Sequence, residues 1–181
     1  MPALANWPLV KKREDDMISG MHEAKKSSFY NAKLLRRLKE PGLYTKPSDS
    51  GTTIYRITCS NAFYHPFSIR VEQTGNNYML YWKEVKGGSW CKHKRYERSG
   101  KKRLTSAEGQ MFIKHIDNIN LDTLPNCVFE LGFDGDGFLL ERRTAKGYKA
   151  FNTNAPEQQF KDLRTYLLKY TRLSFGRKTT F

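Results

Sequence analysis

Cysteine, long apolar runs and acidic side chains are all scarce in this chain of 181 residues. The three cysteines, Cys59, Cys91 and Cys127, lie far apart, so there is no CxxC metal knuckle or redox motif and at most one disulfide could form. Small buried or half-buried thiols in a reducing compartment are the expectation. No stretch approaches the ~20 apolar residues of a membrane-crossing helix. The opening "MPALANWPLVKKREDD" lacks the charged-then-apolar order of a secretory leader. A cytoplasmic location is therefore expected, whereas a leader removed ahead of residue 1 would imply an envelope or secreted one.

Catalytic signatures are missing as well. No GxGxxG, Walker A, GxSxG or kinase pattern occurs, and the histidines His22, His65, His93 and His115 form no HxH or HExxH pair. A metal site would have to be assembled from distant segments, so neither a metal nor a cofactor is expected. His115 falls on the apolar side of a predicted helix, where a satisfied boundary histidine is commoner than a catalytic one. His65 precedes a proline and is expected to be extended.

Positive charge is abundant. Lys and Arg number 32 against 18 Asp and Glu, a formal net charge of +14, which draws the protein toward polyanions without choosing among them. Residues 51–110 hold 11 basic and 4 acidic side chains, so half of the excess lies in the middle third. Aromatics make up 13% of the chain and favour strands over an aliphatic helical core.

The hydrophobic period divides the chain. From Asp15 to Glu40, Met17, Met21, Ala24, Ser28, Ala32 and Leu35 recur every three or four residues, predicting an amphipathic helix that stops at Pro41 and reverses at Gly42. Packing on a sheet edge is the expected fate of that helix. After a polar linker at 45–51 the period becomes 2. Strands are predicted over "TTIYRITCS", "FSIRVEQT" and "NYMLYWKEV", with a tight hairpin at Gly75-Asn76-Asn77, and "KHKRYER" reads as a polar fourth strand at an edge. "LTSAEGQMFIKHIDNI" returns to helix, capped by Thr105 or Ser106 with Glu108 reaching back, and with Met111, Phe112, His115, Ile116 and Ile119 inward. Strands at 127–133, 137–143 and "GYKAFNTN" follow. A last helix from about Glu157 to Arg172 presents Phe160, Leu163, Leu167 and Tyr170.

This order implies an α+β fold: an antiparallel, hairpin-rich sheet of about six to seven strands, with helices packed on one face and an N-terminal amphipathic helix. The expected organisation is an N-terminal helical segment and linker (1–50), an α+β domain (51–175) and a tail (176–181).

"FDGDGFLLE", residues 133–141, concentrates two carboxylates and two glycines. As a calcium loop begun at Asp134 it offers Asp136 at position 3, but Phe138 at position 5 and Ala145 at position 12 donate no side-chain oxygen. As an acid pair it lacks a neighbouring nucleophile or base. Asp-Gly pairs account for it as a hairpin turn between the strands at 127–133 and 137–143.

The strongest binding candidate is "WKEVKGGSWCKHKRYERSGKKR", residues 82–103, which interleaves nine basic side chains with Trp82, Trp90 and Tyr96. Lys92, Lys94, Arg95, Arg98, Lys101, Lys102 and Arg103 are the residues expected to meet an acidic protein partner or nucleic acid, the aromatics being able to stack on bases. A solvated edge hairpin would carry the same composition.

Several motifs together resemble a broad group of uncharacterised bacterial proteins. They are Tyr55-Arg56, His65-Pro66, Arg70, Leu124-Pro125, Gly132-x-Asp134-Gly135, Leu140-Glu141, Tyr148 and Pro156, spread over roughly residues 54–170. The resemblance implies the same α+β order and no known activity. It also implies a candidate ionic cluster of Arg56, Arg70 and Glu141, placed on strands where opposite charges can pair across the ladder. Three functions follow as expectations: a non-enzymatic binding module for an acidic partner, sequence-tolerant nucleic-acid binding, or an enzyme built on His65, Asp134 and Glu141.

Overall fold

A computed structural model of the chain describes residues 31–44, 51–60, 65–85, 97–128 and 137–173. A helical stretch at residues 31–37 (α1) leads into β1 (Thr52–Ser60), β2 (Phe67–Thr74), β3 (Asn77–Val85), β4 (Glu97–Leu104), α2 (Ser106–Ile119), β5 (Cys127–Val128), β6 (Gly137–Thr144), β7 (Gly147–Thr153) and α3 (Gln158–Leu168). The sheet order is β4-β3-β2-β1-β6-β7-β5. The six long strands are antiparallel, and the two-residue β5 runs parallel to β7 at the far edge. The α+β expectation is met by this antiparallel sheet. No helix among the described residues is long and apolar enough to cross a membrane.

Local chemistry explains most element boundaries. Gly75, at φ 55°, opens the two-residue turn that sets Thr74 opposite Asn77, as the Gly-first hairpin turn requires. Thr105 caps α2: its hydroxyl accepts from the Glu108 N–H, and the Glu108 carboxylate accepts from the Thr105 N–H at 2.7 Å. That backbone hydrogen bond, aided by Lys102, lowers the Glu108 carboxyl below the usual range.

Register sorts the side chains onto two faces. Ile57, Cys59, Phe67, Ile69, Val71, Tyr78, Leu80, Leu104, Phe138, Leu140 and Phe151 share one face and are buried against Phe112, Ile116 and Ile119 of α2 and Phe160, Leu163, Tyr166 and Leu167 of α3. Phe112 meets the edge of Tyr55 at 5.3 Å, and Phe160 stacks on Phe151 at 5.0 Å. Burial of each such ring contributes ~1.5–3 kcal/mol. The opposite face carries Arg56, Thr58, Ser68, Arg70, Lys83 and Glu141, and residues 31–44 lie over it.

Several expectations are corrected. Helices cover both faces: α2 and α3 share the apolar one, while α1 and the chain after it take the polar one, burying Leu34, Leu38 and Leu43. Residues 31–44 thus pack over the sheet, while residues 15–30 of the predicted amphipathic helix lie outside the described residues. The reversal after α1 occurs at Lys39, φ 51°, and not at Gly42. Lys39 N–H bonds to the Arg36 carbonyl and Glu40 N–H to that of Leu35, the paired bonds of a Schellman motif. The described part of the fourth strand, Glu97–Leu104, runs past the predicted end at Arg98, and residues 92–96 lie outside the described residues. Met111 is 46% exposed, one position off the buried stripe. α3 ends at Leu168, a turn early.

Of the predicted hairpin between 127–133 and 137–143, residues 129–136 lie outside the described residues, and the described Cys127–Val128 does not pair with β6. β6 uses both of its edges, on β1 and on β7, so no side remains for another partner, and Cys127–Val128 instead pairs beyond β7 with Asn152 and Thr153. Asp134, Gly135 and Asp136 lie outside the described residues.

Gly109 sits inside α2 against the Tyr78 ring, where an added Cβ would fall 2.1 Å from Cδ2. Alanine is the better helix former by ~1 kcal/mol, yet Gly109→Ala should lower stability by about 1–3 kcal/mol, the usual cost of overpacking. Denaturant unfolding that showed Gly109→Ala equal to or more stable than the parent would refute this packing.

Candidate functional site

The polar face is organised around Arg56, on the central strand β1 and only 1% exposed. Its in-register neighbour on β6 is Glu141, itself 3% exposed. Arg56 Nε donates to Glu141 Oε2 at 2.6 Å and Nη2 to Oε1 at 2.7 Å, a two-pronged guanidinium–carboxylate pair. The Tyr148 hydroxyl donates to Glu141 Oε1 at 2.9 Å, and Arg56 Nη1 donates to the Pro41 carbonyl at 2.6 Å. Burial, then the charge and hydrogen bond of Glu141, push the Tyr148 phenol well above its ordinary range.

Arg70, on β2 opposite Arg56, does not reach Glu141. It pairs with Glu72 and lies 4.5 Å from the Tyr81 ring centroid. Glu40 joins the two arginines. Released from α1 by the Schellman turn, its carboxylate lies 3.1 Å from Lys83 Nζ, 3.3 Å from Arg70 Nε and 3.6 Å from Arg56 Nη1. Lys83 Nζ also donates to the Lys39 carbonyl at 2.6 Å. Three cations, Arg56, Arg70 and Lys83, thereby face three carboxylates, Glu40, Glu72 and Glu141. The candidate ionic cluster of Arg56, Arg70 and Glu141 is thus a pair plus a neighbour, with Glu40 as the link. Sequence reasoning missed Glu40 as a participant, because nothing in its helical context signals a contact across the sheet.

Both oxygens of Glu141 accept from a donor already in place: Oε2 from Arg56 Nε, and Oε1 from Arg56 Nη2 and the Tyr148 hydroxyl. His65 is not brought to it: Phe67 stands three strand steps from Arg70, or ~10 Å, and His65 lies two residues further along. Asp134, the other member of that composite site, lies outside the described residues. Among the described residues no group of His, Cys, Asp and Glu could hold a metal ion.

The basic segment divides differently. Lys92, Lys94, Arg95, Trp90 and Tyr96 lie outside the described residues. Arg98, Lys101, Lys102 and Arg103 are all exposed on β4, the outermost strand. Alternation sends Arg98 and Lys102 to the face of α2 and α3, and Lys101 and Arg103 to the other. Lys102 is engaged, 3.3 Å from Glu108 Oε1 and 4.4 Å from the Tyr170 ring centroid. Arg103 donates to Asn77 Oδ1 at 2.5 Å. Trp82, expected as a stacking platform, instead packs against the core, with its indole over Gly100 of β4.

No protein-family model matches the chain, and no curated protein matches it.

Glu141→Gln should destabilise the fold by ~3–5 kcal/mol, because removing one member of a buried pair strands the other charge. Replacing both, as Arg56→Met with Glu141→Leu, should recover a large part of that loss in the same unfolding assay. A single variant as stable as the parent would show that the pair is not what holds β1 to β6.

Alkaline behaviour follows from Tyr148. A phenol raised in the folded state ionises first in the unfolded chain, so its contribution is complete below about pH 10 and declines as pH rises above it. Unfolding measured between about pH 9 and 12 should fall less steeply for Tyr148→Phe than for the parent. Identical slopes would separate Tyr148 from the ion pair.

Proposed function

We propose that this protein is a non-enzymatic binding module that meets an acidic protein partner through the basic edge of its sheet. One observation carries the reading: Arg98, Lys101, Lys102 and Arg103 are all exposed on the strand at the end of the sheet order. An edge strand offers backbone donors and acceptors to an incoming extended segment, and cationic side chains on both faces favour one rich in Asp and Glu. The overall charge of +14 steers such a partner from a distance.

Nucleic-acid binding is the second reading, carried by the same charges. It is weakened at Trp82, whose indole is partly buried, packed against the core and over Gly100. Membership of the bacterial group belongs to the same proposal, since its motifs supply Arg56, Arg70, Glu141 and Tyr148, all members of the polar cluster or its neighbours. That cluster is architecture, and the binding edge on β4 is separated from Glu141 on β6 by three strands, β1, β2 and β3.

Fluorescence anisotropy with a labelled alternating Glu peptide and with a labelled single-stranded oligonucleotide separates the readings. At ~50 mM salt the peptide should bind, weaken as salt rises, and lose most of its affinity to Lys101→Glu with Arg103→Glu. Absence of peptide binding at that salt would overturn the proposal. Tighter binding of the oligonucleotide, with a log–log salt slope reduced by about two in the same variant, would move the assignment to nucleic acid.

A further inference from the structure

The four cations exposed on β4 are not equivalent. Lys102, on the side of α2 and α3, is held 3.3 Å from Glu108 Oε1, and Arg98 on the same side lies opposite Glu84 in the ladder. Lys101 and Arg103, on the other side, have no such carboxylate. Arg103 donates to the neutral amide oxygen of Asn77, and among the described residues no ion pair forms at either cation. Glu72, two strands away in the row of Arg103, is already paired with Arg70. An arriving carboxylate therefore meets a like charge beside Lys102 and none beside Lys101 or Arg103. These two cations stand two residues apart on one strand, so they match carboxylates two residues apart on another.

The side of α2 and α3 offers apolar surface instead. Gly100 stands between Arg98 and Lys102 there, and the indole of Trp82, its neighbour on β3, lies across it. A Cβ at residue 100 would fall 2.1 Å from the indole Cζ2 and 2.5 Å from Cε2. The missing side chain lets the ring lie over the backbone of the outermost strand, while Trp82 as a whole is only partly buried. The Tyr170 ring adds to this side, 4.4 Å from Lys102 Nζ. Glycine weakens a strand, and its use in one marks the close approach of a ring or of another backbone.

We propose that β4 takes an extended segment of alternating acidic and apolar residues from a protein partner, the acidic ones against Lys101 and Arg103 and the apolar ones against the indole over Gly100. This rests on the reading of β4 as the edge that meets an acidic partner, and it specifies that partner's sequence. In strand addition the backbone hydrogen bonds are common to any extended chain, and the side chains on each face decide which chain is taken. Successive residues of the added strand point to opposite faces, so one segment answers both sides. A uniformly acidic segment would set half of its carboxylates on the side of Glu84 and Glu108.

The test is fluorescence anisotropy of the full chain with two labelled peptides of equal length and charge, alternating Glu-Val and alternating Glu-Thr. Val and Thr share a β-branched shape and a preference for strands, and differ in apolar surface. Glu-Val should bind at least ~fivefold more tightly. Lys101→Gln should weaken both peptides by ~fivefold and Lys102→Gln by less than ~twofold, although each removes one charge. Gly100→Ala, whose methyl group displaces the indole, should erase the preference for Glu-Val and leave the affinity for Glu-Thr. Equal affinities for the two peptides, a preference that survives Gly100→Ala, or equal losses from the two lysine variants would overturn the proposal and leave the acidic-partner reading standing. Binding of neither peptide would overturn both. Should Gly100→Ala not fold, the ratio of the two affinities on the unaltered chain and the two lysine variants decide.

Discussion

The pairing of Arg56 with Glu141 is the constraint around which the sheet is arranged. A guanidinium buried in the middle of a sheet is tolerable only where a carboxylate and further acceptors meet its N–H groups, since an unpaired charge there costs several kcal/mol. β1 and β6 satisfy this by holding the two residues in direct register, and that register in turn places Ile57 beside Leu140 and Cys59 beside Phe138 on the other face. One polar contact thereby aligns the apolar core beneath it. Tyr148, one strand further, and Pro41, from outside the sheet, complete the set of partners.

From this centre the two faces follow different rules. The apolar face is closed by rings and aliphatic side chains of α2 and α3, which tolerate small shifts because the attraction is not directional. The polar face is closed by charges, whose partners must arrive in particular places. Glu40 arrives there because Lys39 adopts a left-handed conformation and turns the chain down onto Lys83, Arg70 and Arg56. Three positive and three negative groups balance within the cluster, whereas Arg98, Lys101, Lys102 and Arg103 stand exposed on β4. The two differ in surroundings: a neutralised interior cluster, and exposed cations on the strand at the end of the sheet order.

Much of the fold was legible in short stretches. The three strands "TTIYRITCS", "FSIRVEQT" and "NYMLYWKEV" match the observed ones because a period of 2 and a Gly-first turn act between residues a few positions apart. The same holds for α2, whose capping box spans Thr105 to Glu108. Errors began where a segment's neighbour is distant. The stretch after Cys127 resembles one arm of a hairpin, but β1, some 80 residues upstream, occupies the edge of β6 that the hairpin needed. Trp82 looked like a binding aromatic among lysines, and only the order of strands turns it inward over Gly100. The ionic cluster was half visible: Arg56 and Glu141 could be suspected as opposed charges on strands, whereas Glu40 gave no sign of crossing the sheet.

Composition and periodicity by themselves determined the α+β class, the local elements and the excess of basic charge in the middle third, since each depends on nearest neighbours or simple sums. Tertiary structure alone decided which strands are central, which face each charge occupies, and that the chain after α1 closes the polar face. Those outcomes depend on pairing between residues as far apart as Arg56 and Glu141, whose register is set by burying two charges together while one continuous apolar face is kept.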